Sequence, residues 1–212
     1  LYDATQGEVL VDGVNVKDYD IEALRNKVGI VMQKAVLFKG TIRENMWMGK
    51  KGATDEQIDE ALEISQSKEF VDSKQGRLDY VIEQGGKNLS GGQRQRLTIA
   101  RAIVRKPDVL ILDDSASALD FATDAALRKA IRGMNNSPTV FIVSQRAASL
   151  MYADLIIVLD DGQVAGMGTH DELLANCEVY KEIYESQFKK ADSEGGVASV
   201  SYTHLRAHET LS

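Results

Sequence analysis

Residues 88–120 constrain the chain more than any other stretch. They open with Leu89-Ser90-Gly91-Gly92-Gln93, continue as an Arg-rich segment of helical periodicity, and end in the apolar run Val109-Leu110-Ile111-Leu112. Asp113 and Asp114 stand at the tip of that run, and Ser117-Ala118-Leu119-Asp120 follows. A short, uninterrupted apolar run of this kind reads as a buried parallel strand. In an α/β sheet, the crevice beyond the carboxyl ends of such strands is where acidic residues meet Mg²⁺ and phosphate. Ser90, with Gln93 three residues on, forms a capping box for the helix that follows. A cap alone does not call for two adjacent glycines, which weaken a first helical turn. Free backbone N–H groups at a helix start, open to close approach by an anion, do call for them.

The remaining pattern predicts an α/β domain. Residues 8–16 read as a hairpin around Asp12-Gly13. Residues 21–27 form a short helix capped by Asp20, and 28–32 a strand with Gln33 at its end. Residues 41–48 and 55–68 read as helices within an insertion that runs from about residue 41 to 74. The second is capped by Thr54 or Asp55 and buries Ile58, Ala61 and Leu62, with Ser65 a further candidate. Residues 90–105 form a helix with Leu97, Ala100, Ile103 and Val104 inward, stopped by Pro107. A helix at 121–134 and a second buried strand at 139–143 follow, the latter ending at Ser144-Gln145-Arg146. Residues 155–159, a buried strand, and 163–168 flank the turn Asp160-Asp161-Gly162, and helices at 170–175 and 178–190 close the pattern.

The formal net charge of −7 argues against a nucleic-acid partner held by a basic surface. The single cysteine, Cys177, excludes an intramolecular disulfide and fits a reducing compartment. No apolar run approaches the roughly 20 residues that cross a bilayer, and none near Leu1 reads as a secretory signal. Service at a membrane would run through another segment or chain.

The order LSGGQRQR, then an apolar strand ending in Asp-Asp, then SALD resembles the nucleotide-binding domain of ATP-binding cassette (ABC) transporters. The resemblance covers residues 1–190 and implies a P-loop NTPase-like parallel core sheet, an antiparallel edge hairpin and a helical signature subdomain. It implies ATP and Mg²⁺. Ser90, Gly91, Gly92, Gln93 and Asp120 would then contact nucleotide, the signature meeting the γ-phosphate of ATP held by the opposite subunit of a head-to-tail dimer. Asp113 takes the place of the Mg²⁺-water ligand, and Asp114 stands where the family carries the glutamate that orients the attacking water. Residues 33–45, QKAVLFKGTIREN, look like the Q-loop region of ABC exporters. There Gln33 is expected to touch Mg²⁺ and the water, and the loop beyond it to face a coupling helix of the transmembrane domain. Phe38 and Trp47 read equally as core and as groove residues. Residues 142–146, IVSQR, resemble the H-loop, with Gln145 in place of histidine.

Two departures carry a consequence. A glutamine amide donates a hydrogen bond but cannot become a cation. Asp114 lacks one methylene relative to glutamate, which draws its carboxylate back by roughly an ångström where base chemistry is decided by geometry. Together they predict a degenerate ATP site in one half of a heterodimeric multidrug or lipid exporter, acting at the cytoplasmic face of the cell membrane. The intact signature would complete the partner's site. The alternatives are a soluble ABC ATPase of DNA repair or translation, and a non-catalytic regulatory cassette that completes a partner's site.

No GxxxxGK[ST] occurs in the sequence. The resemblance places that loop, with its helix, just ahead of Leu1-Tyr2-Asp3, so this stretch alone is expected to bind ATP poorly and to be inactive by itself. Residues 191–212 read as a linker and a non-native tail, because residues 200–210, VSYTHLRAHET, match the read-through of a transposase adapter used in sequencing libraries. On that reading His204 and His208 are not a metal site.

Overall fold

Positive φ at both Asp12 (50°) and Gly13 (76°) gives the two-residue turn that joins β1 (Leu10–Val11) to β2 (Val14–Asn15) as an antiparallel hairpin. The computed structural model describes residues 3–115 and 117–194, with side chains through residue 187. The tail and the residues at the very start of the chain lie outside the described residues. Helix α1 (Ile21–Lys27) begins where the Asp20 carboxylate accepts from the backbone N–H groups of Glu22 and Ala23. Strand β3 (Val28–Val31) follows at once.

After a two-residue strand β4 (Gly40–Thr41), helix α2 (Ile42–Trp47) starts on a full Thr41–Glu44 capping box, and α3 (Asp55–Ile64) on the equivalent Thr54–Gln57 pair. The periodic pattern to residue 68 is not one helix. Ser65 and Ser67 are both fully buried; the Ser65 hydroxyl donates to the Leu62 carbonyl at 3.1 Å and lies 2.8 Å from the Ser67 hydroxyl. Those local bonds compete with the helical ladder, Gln66 turns left-handed at φ 60°, and a new helix, α4 (Lys68–Asp72), starts. Ion pairs of Arg77 with Asp59 and Asp72, and of Arg43 with Asp55 and Asp79, tie these helices to the turn at 77–79. That turn leads into β5 (Val81–Ile82), antiparallel to β4.

Helix α5 (Gly91–Ile103) presents Leu97, Ile99, Ala100 and Ile103 to the core, each at most 1% exposed. Strand β6 (Val109–Asp113), helix α6 (Phe121–Arg132) and strand β7 (Thr139–Val143) complete this part. The sheet is parallel with strand order β3-β6-β7. Asp113 ends β6 opposite Val143. The expectation that residues 139–143 are buried is corrected. Among the described residues β7 pairs only with β6, and as an outer strand it leaves Phe141 54% and Val143 55% exposed.

The chain divides into two units between Gln145 and Arg146. The second contains α7 (Ala147–Leu150), the antiparallel pair β8 (Ile156–Asp160) and β9 (Gln163–Gly168), α8 (His170–Asn176) and α9 (Glu178–Glu194). Asp161 and Gly162, both at positive φ, make the β8–β9 turn. Ile156, Val158, Leu173, Cys177 and Tyr180 form its own small core. Here too the reading of a buried strand is corrected: β8 alternates, burying Ile156 and Val158 while Ile157 and Leu159 stay exposed.

Candidate functional site

Parallel register brings the strand-end candidates together. Val31 of β3 lies opposite Leu112 of β6, so two residues further on Gln33 comes level with Asp114. The Gln33 amide Nε2 donates to Asp114 Oδ2 at 3.2 Å. Asp114 leaves β6 with φ 43°, a left-handed conformation that costs a residue with a Cβ. Its N–H donates to the Val143 carbonyl at 2.8 Å, which holds that turn against β7. Asp113 is the last residue of β6 and is half-buried. Gln145 lies two residues beyond β7 and is exposed. Three parallel strands therefore deliver Gln33, Asp113, Asp114 and Gln145 at their carboxyl ends.

The signature forms a second cluster. The Ser90 hydroxyl accepts from the Gln93 N–H at 3.2 Å, and Gln93 Oε1 accepts from the Ser90 N–H at 3.0 Å. The Gln93 side chain is thus engaged in holding the cap. The two glycines differ. A Cβ on Gly92 would stand 3.3 Å from the Ala118 carbonyl oxygen, so this glycine lets the helix start lie against the 117–120 loop. Gly91 faces open space apart from one Arg94 nitrogen at 4.0 Å, and it is the glycine that leaves room for an anion.

Asp120 caps α6: Oδ1 accepts from the Thr123 N–H at 2.9 Å and Oδ2 from its hydroxyl at 2.8 Å. Those bonds, the backbone one foremost, hold the Asp120 carboxyl below the usual carboxylate range. Among the described residues no hydrogen bond links Ser90–Gln93 to Gln33, Asp113 or Asp114. The strand-end groups and the signature cap are thus held by different partners, Asp114 by Gln33 and Ser90 by Gln93.

Two arginines, Arg101 on α5 and Arg105 just beyond its end, hold neighbouring loops without having been singled out in the sequence. Arg101 Nη2 donates to the Val36 carbonyl at 2.9 Å, and its guanidinium lies 5.8 Å from the centroid of the Phe38 ring. Arg105 donates to the Gly49 carbonyl at 3.0 and 2.7 Å and to the Arg25 carbonyl at 2.5 Å. Burial pushes the Arg101 guanidinium down from its ordinary value. The legible signal was spacing: Arg101 lies four residues after Leu97, on the buried stripe. Gln95 Nε2, Arg96 Nε and Arg101 Nη1 are buried on this helix with no acceptor among the described residues. Each such orphan donor costs about 1–3 kcal/mol. Phe38 and Trp47 are 50% and 41% exposed, which takes both out of the core.

Carboxylate and amide groups at the ends of parallel strands, with an open helix N-terminus nearby in sequence, fit the class of α/β nucleotide-handling domains. The family model for ABC transporters matches residues 1–117. The chain belongs to the ABC transporter family, as a nucleotide-binding domain homologous to the ATP-binding proteins of ABC exporters. It is 44% identical over 194 residues to an uncharacterized ABC transporter ATP-binding protein, YfiB, of Bacillus subtilis, covering 92% of this chain and 34% of that protein. It is 38% identical over 186 residues to a putative multidrug export ATP-binding/permease protein of Staphylococcus aureus, covering 88% of this chain and 32% of the relative. A solved bacterial Atm1-family ABC exporter with ATP bound superposes at a TM-score of 0.83 with 33% identity, over 88% of this chain and 33% of that one. The chain thus spans about a third of the length of these relatives.

The strand-end donors suit Mg²⁺. Asp113 and the Gln33 amide offer hard oxygen atoms, the donors suited to an ion that keeps its waters and shares phosphate oxygens. No helix among the described residues is long and apolar enough to cross a membrane.

Proposed function

We propose that this chain, over residues 1–190, is the ATP-binding domain of one half of a heterodimeric ABC exporter, and that its own ATP site turns over weakly. The observation that carries the reading is the Gln33–Asp114 hydrogen bond across the ends of β3 and β6. It leaves a short acidic side chain, already engaged on one oxygen, at the position that must orient water. In this reading Asp113 and Gln33 hold Mg²⁺ with the ATP phosphates, and the ion supplies neutralisation of charge on the transferred group.

Hydrolysis adds a water oxygen to the γ-phosphorus as the bond to the β–γ bridging oxygen breaks. Asp114 accepts from that water, but reaches less far than a glutamate. Gln145 donates one amide N–H toward the γ-phosphate and cannot add positive charge there. Ser90, Gly91 and Gly92 present the α5 N-terminus to ATP bound by the partner half, with Gln93 holding the cap and Asp120 shaping the loop beside it. The exposed Val36, Phe38, Trp47 and Met48 form the face for coupling helices of a transmembrane domain. The assembly works at the cytoplasmic face of the cell membrane. No role in nucleic-acid binding is assigned, in keeping with the acidic charge.

The test is turnover measured site by site in the assembled pair. Asp114→Glu with Gln145→His should raise hydrolysis at this chain's site by ~10²-fold, the scale of positioned acid–base groups. No gain from the double change, or rapid turnover by the unaltered chain as a homodimer, overturns the degenerate-site reading.

A further inference from the structure

We propose that Arg101 is a positioning residue for Gln33: its bond to the Val36 carbonyl ties the 34–40 loop to α5 and so fixes the chain just beyond the end of β3. This rests on the reading of Gln33 as a metal-facing residue given above.

The 34–40 loop has few means of holding itself in place. Leu37 alone is buried in the core, while the side chains of Val36 and Phe38 are 44% and 50% exposed. Further on, Asn45 Nδ2 donates to the carbonyls of Phe38 and Thr41, and its Oδ1 accepts from the Phe38 N–H, so the far end of the loop belongs to α2. Toward Gln33, the Arg101 bond to the Val36 carbonyl is the tie, and the Phe38 ring lies within cation–π range of the same guanidinium.

Arg101 forms no ion pair with a carboxylate among the described residues, so its charge serves the loop. Val36 lies three positions beyond Gln33, a lever of at most ~11 Å. Arg101 Nη1, buried and without an acceptor among the described residues, leaves one donor available to a second carbonyl when the loop shifts. Lysine can reproduce the bond to Val36 but not the planar contact with Phe38.

The experiment uses the full-length protein with Arg101→Met and Arg101→Lys. Deuterium exchange at residues 34–38 should quicken ~10-fold in Arg101→Met while residues 55–64 of α3 stay as they were, since only a local opening is released. The Mg²⁺ concentration for half-maximal ATP retention should rise ~10-fold, the scale set by lost outer-shell support, with ATP affinity in excess Mg²⁺ unchanged. Arg101→Lys should fall between the two. Unchanged 34–38 exchange, an equal rise over residues 55–64, or faster exchange with no shift in the Mg²⁺ midpoint each overturns the proposal. If the wild-type protein retains ATP without regard to Mg²⁺, the metal-facing reading of Gln33 fails first and the proposal falls with it.

Discussion

Asp120 shows how a residue counted toward nucleotide binding also does local structural work. Both its carboxylate oxygens are engaged by Thr123, and the charge sits at the positive end of α6. Its folded-state pKa is depressed, so its contribution is present above the unfolded value of about 3.9 and is lost as pH falls through the lower folded value. Asn at this position can still cap but cannot titrate. Urea midpoints of wild type and Asp120→Asn should therefore differ at neutral pH and converge as pH drops below about 4. A difference that stays constant from pH 7 to pH 3 would show that the capping charge contributes nothing. Gln33 teaches the same lesson from the other side: singled out by the Q-loop resemblance, it also makes a bond to Asp114 that the resemblance did not name.

At the scale of elements, α5 organises the first unit through its backbone as much as its apolar face. A Cβ on Gly49 would overlap the Arg101 carbonyl oxygen and stand 2.9 Å from Val104 Cγ1. The turn after α2 thus packs directly on the α5 backbone, where Arg105 also grips the Gly49 carbonyl. Gly49→Ala should cost about 3 kcal/mol, the upper end of overpacking penalties, because neither contact is the free end of a flexible side chain. Thermal or urea denaturation would read this directly, and a loss below about 0.5 kcal/mol, the scale of ordinary surface changes, would mean that the two elements separate more easily than the packing implies. The same packing makes α5 a stiff link between the Ser90 cap at one end and the 34–40 loop and α2 farther along.

For the whole molecule, the proposed division of labour between the strand-end groups and the signature has a functional corollary. If Ser90–Gly92 complete an ATP site on the partner, blocking them should silence that site and spare nucleotide binding at this chain's own. Ser90→Arg adds bulk at the cap and is expected to lower partner-site turnover by ~10²-fold, the scale of losing a phosphate-facing donor set, with ATP binding by this chain unchanged. Site-resolved turnover in the assembled pair checks it. Equal loss at both sites, or at neither, would contradict a composite site. Degenerate and competent halves also predict opposite outcomes for the same substitution made in each.

Much of the fold was legible because its signals are local. Asp20, Thr54 and Ser90 each cap the helix their spacing announced, and Asp12-Gly13 and Asp160-Asp161-Gly162 make the turns their residues favour. The order of signature, apolar strand and paired aspartates pointed to the family before any geometry was known. Other features were hidden because they depend on partners far away in sequence. The Gln33–Asp114 bond spans 81 residues and follows from the β3–β6 register, which periodicity does not encode. Unbroken apolar runs could not tell a covered strand from the outer β7, and the buried hydroxyls of Ser65 and Ser67 broke a helix whose pattern ran on. Gly91 and Gly92 are equivalent in sequence, and only the approach of the Ala118 carbonyl separates a packing glycine from an open one. The sequence by itself determined the elements, their caps and the chemistry at the strand ends. Tertiary structure decided which of those groups meet, because strand register and helix packing are settled by contacts between distant segments.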